Sequence, residues 1–327
     1  MPKGPVILIL TNREDITADY VVLELQKRGV HYFRFNVEDF PQKVVGTVSL
    51  AGATPSALFQ TPKGIVDVSA LRSIWYRRPG HPSLSRDLTD EGVREFCLRE
   101  CDEFLQGVWA NFGGLWVSYP PSIFHAQNKL YQLRVAKDLG FDIPDTLVTS
   151  DQDAVRQFVE RAGCTVIVKA VRQGALTIGG RQHVIFTSPI QAEDLEYLSG
   201  LRYAPSIFQK YIPKRFDLRV TVIGRAVFPV EIHAGGADAD ARFDWRRADQ
   251  EALVYRVHDL PPRIVRLCRA IVRKMRLSFG AMDLICSAEG GYYFLEINPN
   301  GQWAWIQQRT GLKLTEALVD LLVGGGP

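Results

Sequence analysis

The 327-residue chain predicts an α/β protein assembled from several lobes of α+β character. Three observations predict it. The chain opens as strand, helix, strand. Strands and helices keep alternating through its middle. Near its end, Phe279 to Trp303 reads as two apolar strands joined by a short turn. The length allows two or three cores. With 46% hydrophobic and 23% charged residues, the composition is that of a globular protein rather than a disordered one. A net charge of +3 is too small to argue for nucleic acid as a partner. Val6 to Leu10 is an apolar run followed by charges, a strand rather than a signal peptide. No segment approaches the roughly 20 apolar residues of a membrane span, so the cytoplasm is the default compartment. The five cysteines form no C-x-x-C pair. Cys97 and Cys101 share a helix face without a nearby His or third Cys, which argues against a metal site.

The first lobe is expected over residues 1–120. Asp15 to Arg28 has helical apolar spacing at Ala18, Val21, Val22 and Leu25 and is closed by Gly29. Val30 to Phe35, Val44 to Leu50, Ala57 to Gln60, Ile65 to Val68 and Ile74 to Tyr76 read as strands. A helix from about Thr89 to Asn111 is expected to bury Val93, Phe96, Cys97, Cys101, Phe104, Leu105 and Val108. Leu115 to Ser118 closes the lobe, and Pro120-Pro121 marks its boundary. The first strand is not followed by G-x-G-x-x-G, so the dinucleotide fingerprint is missing.

A middle lobe follows over 121–205. His125 to Gly140 reads as one helix with Lys129 in its first turn, where a lysine can meet a phosphate or simply be solvated. Asp151 caps a helix to Arg161. Lys169 ends the apolar strand Thr165 to Ala170, and a glycine-bearing loop, Gln173 to Gly180, leads to a strand at Val184 to Thr187. Such a loop can drape N–H groups over phosphates, but a plain hairpin turn explains the glycines as well.

The last lobe spans 206–327. Ser206 to Ile212 is a strand, and Asp217 to Gly224 alternates so that Asp217, Arg219 and Thr221 share a face. Arg225 to Ala234 returns, and a helix at about Pro262 to Arg276 leads into the hairpin. With Ala288 to Gly291 as its loop, Asp283 stands opposite Glu296 and Ala281 opposite Asn298. Asp283, Glu296 and Asn298 then share one face, while Met282, Leu284, Leu295 and Ile297 form a core face. Two carboxylates and an amide, without thiolate or imidazole, suit a hard cation such as Mg²⁺.

Taken in order, Lys129, Lys169 with its glycine loop, Gln209-Lys210-Tyr211-Ile212, Asp217-x-Arg219 and Asp283…Glu296-x-Asn298 resemble the ATP-grasp carboxylate–amine ligases. The resemblance covers about Pro121 to Val323 and implies an ATP-grasp fold, with nucleotide between the central and C-terminal lobes. It implies that Lys129 and Lys169 contact ATP phosphates and that Gln209 to Ile212 bind adenine. Asp217 would approach the ribose, Arg219 the acyl phosphate, and the acidic set would hold two Mg²⁺ ions. Gly174 belongs to the loop expected to act as a lid. Lys210 departs from the pattern, since many relatives are acidic there.

A narrower resemblance is to the graspetide (microviridin-type) peptide ligases. It rests on Thr17 to Tyr20, Asn36 to Pro41, Ile74 to Pro79, Asp244-Trp245-Arg246 and Asn298 to Trp303. It implies a pre-ATP-grasp domain over 1–120, a precursor peptide with a leader and an acidic core, and a homodimer. The implied reaction phosphorylates an Asp or Glu side chain with ATP and passes the acyl group to a Ser or Thr hydroxyl or a Lys amine. The attacking group must lose a proton, for which Asp244, His233 and Glu231 are candidates. Arg246 would hold the acidic side chain of the core peptide. A ligase adding free amino acids to a protein or peptide tail, or a non-catalytic ATP-binding regulator, are the competing readings.

Overall fold

A computed structural model describes residues 6–51, 56–172, 174–234, 239–249 and 251–324. They form two compact units. One takes the chain up to Pro120, Gln302–Gln307 and the residues from Lys313; the other takes Pro121–Gly301 and Gln308–Leu312. Among the described residues no helix is long and apolar enough to cross a membrane.

In the first unit, β1 (Val6–Thr11) has Ile7 to Leu10 fully buried, as a parallel strand covered on both faces must be. α1 (Ile16–Lys27) starts at Asp15, whose Oδ1 accepts the N–H groups of Thr17 and Ala18. β2 (Tyr32–Asn36) pairs parallel with β1. β3 (Val45–Ser49), β4 (Ser56–Thr61) and β5 (Gly64–Asp67) make a separate antiparallel sheet. β6 (Leu71–Tyr76), α2 (Glu91–Ala110) and β7 (Leu115–Val117) complete a parallel sheet of order β2-β1-β6-β7. Only the C-terminal part of α2 covers the core, through Leu105, Val108 and Trp109. The ring of Phe104 lies 2.5 Å from where a Cβ on Gly46 would be, so glycine admits the helix there. Val93 and Phe96, expected inside, are 45% and 55% exposed because they lie up the helix from this contact.

In the second unit, the helix expected over His125 to Gly140 is two helices, α3 (Pro120–Ala126) and α4 (Lys129–Leu139). Asn128 interrupts it, its Oδ1 capping the Tyr131 N–H at 3.0 Å. Then come β8 (Thr146–Thr149), α5 (Gln152–Ala162), β9 (Val166–Lys169), β10 (Ala175–Ile178), β11 (Arg181–Val184), β12 (Ser188–Pro189) and β13 (Ser206–Lys210). β12-β9-β13-β8 is an antiparallel sheet, and Val155 and Phe158 of α5 pack on Val166 and Phe208 of one face. β10 and β11 pair as a hairpin turning at Gly179 and Gly180, both with positive φ, so the strand expected at Val184 to Thr187 lies mostly before Val184.

β14 (Lys214–Ile223), β15 (Ala226–His233), β16 (Val254–Val257), α6 (Pro262–Lys274), β17 (Phe279–Ser287) and β18 (Tyr292–Asn298) follow. Their sheet is antiparallel, ordered β16-β15-β14-β17-β18. Gly280 lets Val272 of α6 close on the sheet, in line with the buried Leu218, Val220, Val222, Met282 and Leu284. That leaves the opposite face of β14, β17 and β18 for polar side chains. α7 (Ala304–Thr310) precedes α8 (Leu314–Val323). Expected within the 206–327 lobe, α8 instead completes the first unit. There the Leu322 carbonyl accepts from the buried Ser73 Oγ at 2.8 Å, and Asp320 pairs with Arg28.

Candidate active site

The hairpin places its three oxygen-bearing side chains as the register requires. Asp283 stands opposite Glu296, Ala281 opposite Asn298, and on the other side of β17 Arg219 stands opposite Asp283. Paired residues share a face, so Arg219, Asp283, Glu296 and Asn298 line one wall. The expected register does not continue to the turn. Between Asp283 and Leu284 the ladder slips by one, so Tyr292 pairs with Cys286 and not Ser287. This β-bulge turns Phe294, fully buried, onto the core face expected for Leu295, which is half-buried. The cause is distant in sequence. Phe294 N–H bonds the Asp142 carbonyl at 2.8 Å, and its ring packs 5.4 Å from that of Phe141.

The wall is electrostatically matched. Arg219 NH1 donates to both Asp283 oxygens, at 2.8 and 2.9 Å. Burial pushes the Asp283 carboxyl up, against the pull of Arg219. Lys129 Nζ lies 3.0 Å from Glu296 Oε2 and 3.4 Å from the Ala170 carbonyl. Burial alone would raise Glu296 as well, but Lys129 and Lys169 outweigh it and hold the carboxyl below its usual range. Lys169, at the end of β9, is pushed down to about 8 by burial, opposed by Glu296 and helped by Lys129 and Arg246. A Cβ on Gly301 would meet Ala281 at 2.4 Å and Arg219 at 3.0 Å, so glycine is required beside the wall.

Sequence reasoning missed Gln132. It is buried, and its Nε2 donates to the carbonyls of Ala126 at 2.7 Å and Ile297 at 2.8 Å. Its Oε1 accepts the Ile297 N–H at 3.0 Å. The side chain thus acts as a strand partner for β18 between Glu296 and Asn298, and it fixes α4, with Lys129, against them. The one signal was a polar residue beside Leu133 on the helix's inner face.

The hinge strand divides its residues between two faces. Ile207 pairs with Lys169 and Gln209 with Ile167 and Thr146, so Gln209 shares the face of Lys169. Gln209 is fully buried; its Nε2 donates to Thr146 Oγ1 at 2.7 Å, and its Oε1 accepts nothing among the described residues. Lys210 alternates to the α5 face and borders a separate cavity of about 650 Å³ with Lys137, Phe141, Phe158 and Arg161. Its side chain therefore does not join Lys169, which removes the difficulty raised by its departure from the family pattern. The N–H groups of Lys210 and Tyr211 are bound to the carbonyls of Asp145 and Thr165, both at 2.9 Å. Ile212 follows, half-buried, outside the strand.

Asp217 is buried beside Lys214, Nζ to Oδ1 2.7 Å; burial pushes its carboxyl up to about 6 against the pull of Lys214. Asp244 accepts four hydrogen bonds: from Arg246 Nε at 2.8 Å, NH2 at 2.7 Å and N–H at 3.2 Å, and from the Thr187 N–H at 3.1 Å. Burial would raise this carboxyl, but Arg246 outweighs it and holds it below the usual range, so Asp244 is a poor proton acceptor. Arg246, held by Asp244, keeps half of its side chain exposed and available to an anion. His233 is not brought to the wall. Glu231 pairs with Leu218, so Glu231 and His233 lie on the face opposite Arg219. There Glu231 meets His233 at 2.7 Å and His258 at 2.6 Å. Gly174 closes the base of the β10–β11 hairpin, its carbonyl accepting Ile185 N–H at 2.6 Å; a Cβ there would meet the Ile185 carbonyl at 2.3 Å. Gln173, at the start of the expected loop, lies outside the described residues.

Among the described residues no group of three or more His, Cys, Asp and Glu side chains is arranged to hold a metal ion. The wall nevertheless fits Mg²⁺, which is commonly held by one or two carboxylates with substrate phosphates and water. Burial and the neighbouring Glu296 both raise the Asp283 carboxyl, so this pair of carboxylates favours added positive charge. Asp283, Glu296 and the Asn298 amide oxygen would be its protein ligands.

The description "RimK-like ATP-grasp domain" matches residues 126–322, and "MvdD pre-ATP grasp domain" matches residues 6–123. An ATP-grasp ligase associated with ribosomal peptides from Chryseobacterium gregarium, solved with ADP and a leader and core peptide, is similar at a TM-score of 0.90. It is 27% identical, over 99% of this chain and 98% of that one. Macrocyclase MdnB from Microcystis aeruginosa MRC is 31% identical at a TM-score of 0.79, over 98% of this chain and 99% of its own. MdnC of the same organism, solved with precursor peptide MdnA, is 27% identical at a TM-score of 0.85, over 98% and 100%. Curated relatives include a glutathione synthetase from Nostoc sp., 26% identical over 56% of this chain, and a probable alpha-L-glutamate ligase from Vibrio cholerae, 25% identical over 62%. The matches span 53% and 64% of those two relatives.

Proposed function

Because this chain belongs to the RimK-like ATP-grasp family, with an MvdD-type pre-ATP-grasp domain before it, we propose that it is an ADP-forming ligase that cyclises a ribosomal precursor peptide. ATP phosphorylates an Asp or Glu side chain of the core segment. A Ser or Thr hydroxyl, or a Lys amine, attacks the acyl carbon, and phosphate leaves with closure of an ester or amide ring. The observation that carries the reading is the convergence of Lys129, Lys169 and Arg219, from three separate elements, on Asp283 and Glu296.

The chemistry requires such a convergence. The γ-phosphoryl group and the substrate carboxylate are both anionic and approach only where charge is cancelled. Lys129 and Lys169 meet the phosphates, and Arg219 the group in transfer. Asp283, Glu296 and Asn298 would hold Mg²⁺, which would supply further positive charge against the phosphates. Gln209 offers its unpartnered Oε1 to the amino group of adenine, and Asp217 approaches the ribose. Arg246, oriented by Asp244, receives the acidic side chain of the core peptide. Asp244 is a holder of Arg246 rather than the base, and with Glu231 and His233 on the opposite face none of the three proton acceptors first considered serves that role. The partner would be a precursor peptide with a leader and an acidic core, and the enzyme a homodimer.

The test is incubation with ATP, Mg²⁺ and the short peptide encoded beside its gene. ADP release and loss of one water per linkage are expected; AMP and pyrophosphate would overturn the reading. A mass gain with free amino acids would select the second reading, of a ligase that extends a protein or peptide tail, for which the similarity to a probable alpha-L-glutamate ligase is the support. Sedimentation of the purified chain checks the dimer.

A further inference from the structure

β10 and β11 are exposed along their whole length. The hairpin is shut at its base by the Ile185 N–H bond to Gly174. The next three residues are each fastened to the short turn Asp244 to Arg247. Thr187 N–H donates to Asp244 Oδ2 at 3.1 Å. Arg247 NH2 donates to Ser188 Oγ at 2.8 Å. The Arg247 guanidinium lies 5.2 Å from the centroid of the Phe186 ring, within cation–π range. The same turn holds Arg246 through the Asp244 carboxylate. One four-residue turn therefore carries both the arginine assigned to the peptide carboxylate and the fastening of the hairpin stem.

We propose that Arg247 is a positioning residue that latches the stem of the glycine hairpin to the Asp244–Arg246 turn, so that the hairpin is held closed while Arg246 is in place. This rests on the ligase reading above. An acyl phosphate left open to solvent is hydrolysed: water oxygen bonds to the acyl carbon, the bond from carbon to the phosphate oxygen breaks, and carboxylate and phosphate are released with a proton. Nothing is then joined although ATP is spent. Exclusion of water by a closing segment prevents this. Because the same turn holds Arg246, the latch keeps the hairpin stem and the carboxylate-binding arginine on one element.

The experiment compares wild type with Arg247→Ala, Arg247→Lys and Ser188→Ala, using ATP, Mg²⁺ and the peptide encoded beside the gene. ADP released per linkage formed should rise about tenfold in Arg247→Ala, as loss of one charge-assisted bond implies. Lysine keeps the charge without the planar fork and should restore the ratio only in part. If ADP and linkages fall together and the ratio stays at the wild-type value, the latch is wrong. Hydrogen exchange of the ligand-free protein gives a second readout that needs no peptide. Exchange over residues 174–188 should quicken about tenfold in Arg247→Ala and in Ser188→Ala, with β14 and β17 unchanged. Unchanged exchange over 174–188 in both variants overturns the proposal. A wild-type chain that forms no linkage with the peptide counts against the ligase reading, while exchange still decides the latch.

Discussion

Replacing Arg219 by Met tests the charge balance of the wall most directly. Arg219 is 8% exposed, and the side chain of its partner Asp283 is 21% exposed. Its NH1 reaches both carboxylate oxygens, so the substitution removes both hydrogen bonds and leaves a largely buried carboxylate facing Glu296. Breaking a buried pair by removing one partner costs about 3–5 kcal/mol. The residual exposure of Asp283 puts the expected loss at the lower end, about 3 kcal/mol. The assay is urea unfolding followed by tryptophan fluorescence in the presence of a chelator. Adding Asp283→Asn to Arg219→Met removes the stranded charge and should return about 2 kcal/mol, so the two changes are strongly non-additive. Added Mg²⁺ should stabilise Arg219→Met more than wild type, since the ion supplies the charge the arginine withdrew. A loss below about 1 kcal/mol, or none returned by Asp283→Asn, would refute the reasoning, because it would mean that the wall is solvated like an ordinary surface.

Three further outcomes follow from the same geometry. The Asp217 carboxyl is raised to about 6 in the folded chain from an ordinary 3.8, so the folded state binds more protons between those values. The stability this contributes is full below the ordinary value and is lost as pH rises through about 6, at most about 3 kcal/mol; unfolding measured across that window should show the slope in wild type and not in Asp217→Asn. Gln132→Leu strands both the N–H and the carbonyl of Ile297 and should cost about 2–3 kcal/mol, with weaker ATP binding measured by calorimetry. Lys210→Ala should leave the KM for ATP within about twofold of wild type, since its side chain lies on the α5 face, and a larger rise would place it back among the nucleotide contacts.

Much of the wall was legible because a period of two and a short glycine turn fix which residues oppose one another. Asp283, Glu296 and Asn298 fell on one face by that reasoning alone; alternation placed Arg219 only with Asp217 and Thr221, and the pairing of β14 with β17 is what brings it to the wall. The slip beyond Asp283 was not legible, because it depends on Asp142 and Phe141, more than a hundred residues away, meeting Phe294. The break at Asn128 was written in the chain as a capping residue, but unbroken helical spacing on both sides outweighed it. Val93 and Phe96 have the spacing of a buried stripe, yet local periodicity does not say where the underlying sheet ends. His233 failed for a similar reason. Its chemistry suited a base, and only pairing across two strands shows that it faces the other way.

The slip in the hairpin has a practical consequence for altering the chain. Phe294 is pinned by Asp142 and Phe141 between the turn and the wall. Added or deleted residues at the tip, around Glu289 and Gly290, meet that pin before they reach Glu296, so the tip is the place to graft a label or spacer. No such buffer stands between Leu295 and Asn298. One residue inserted between Leu295 and Glu296 would carry Glu296 round to the side covered by α6 and leave Lys129 without its partner.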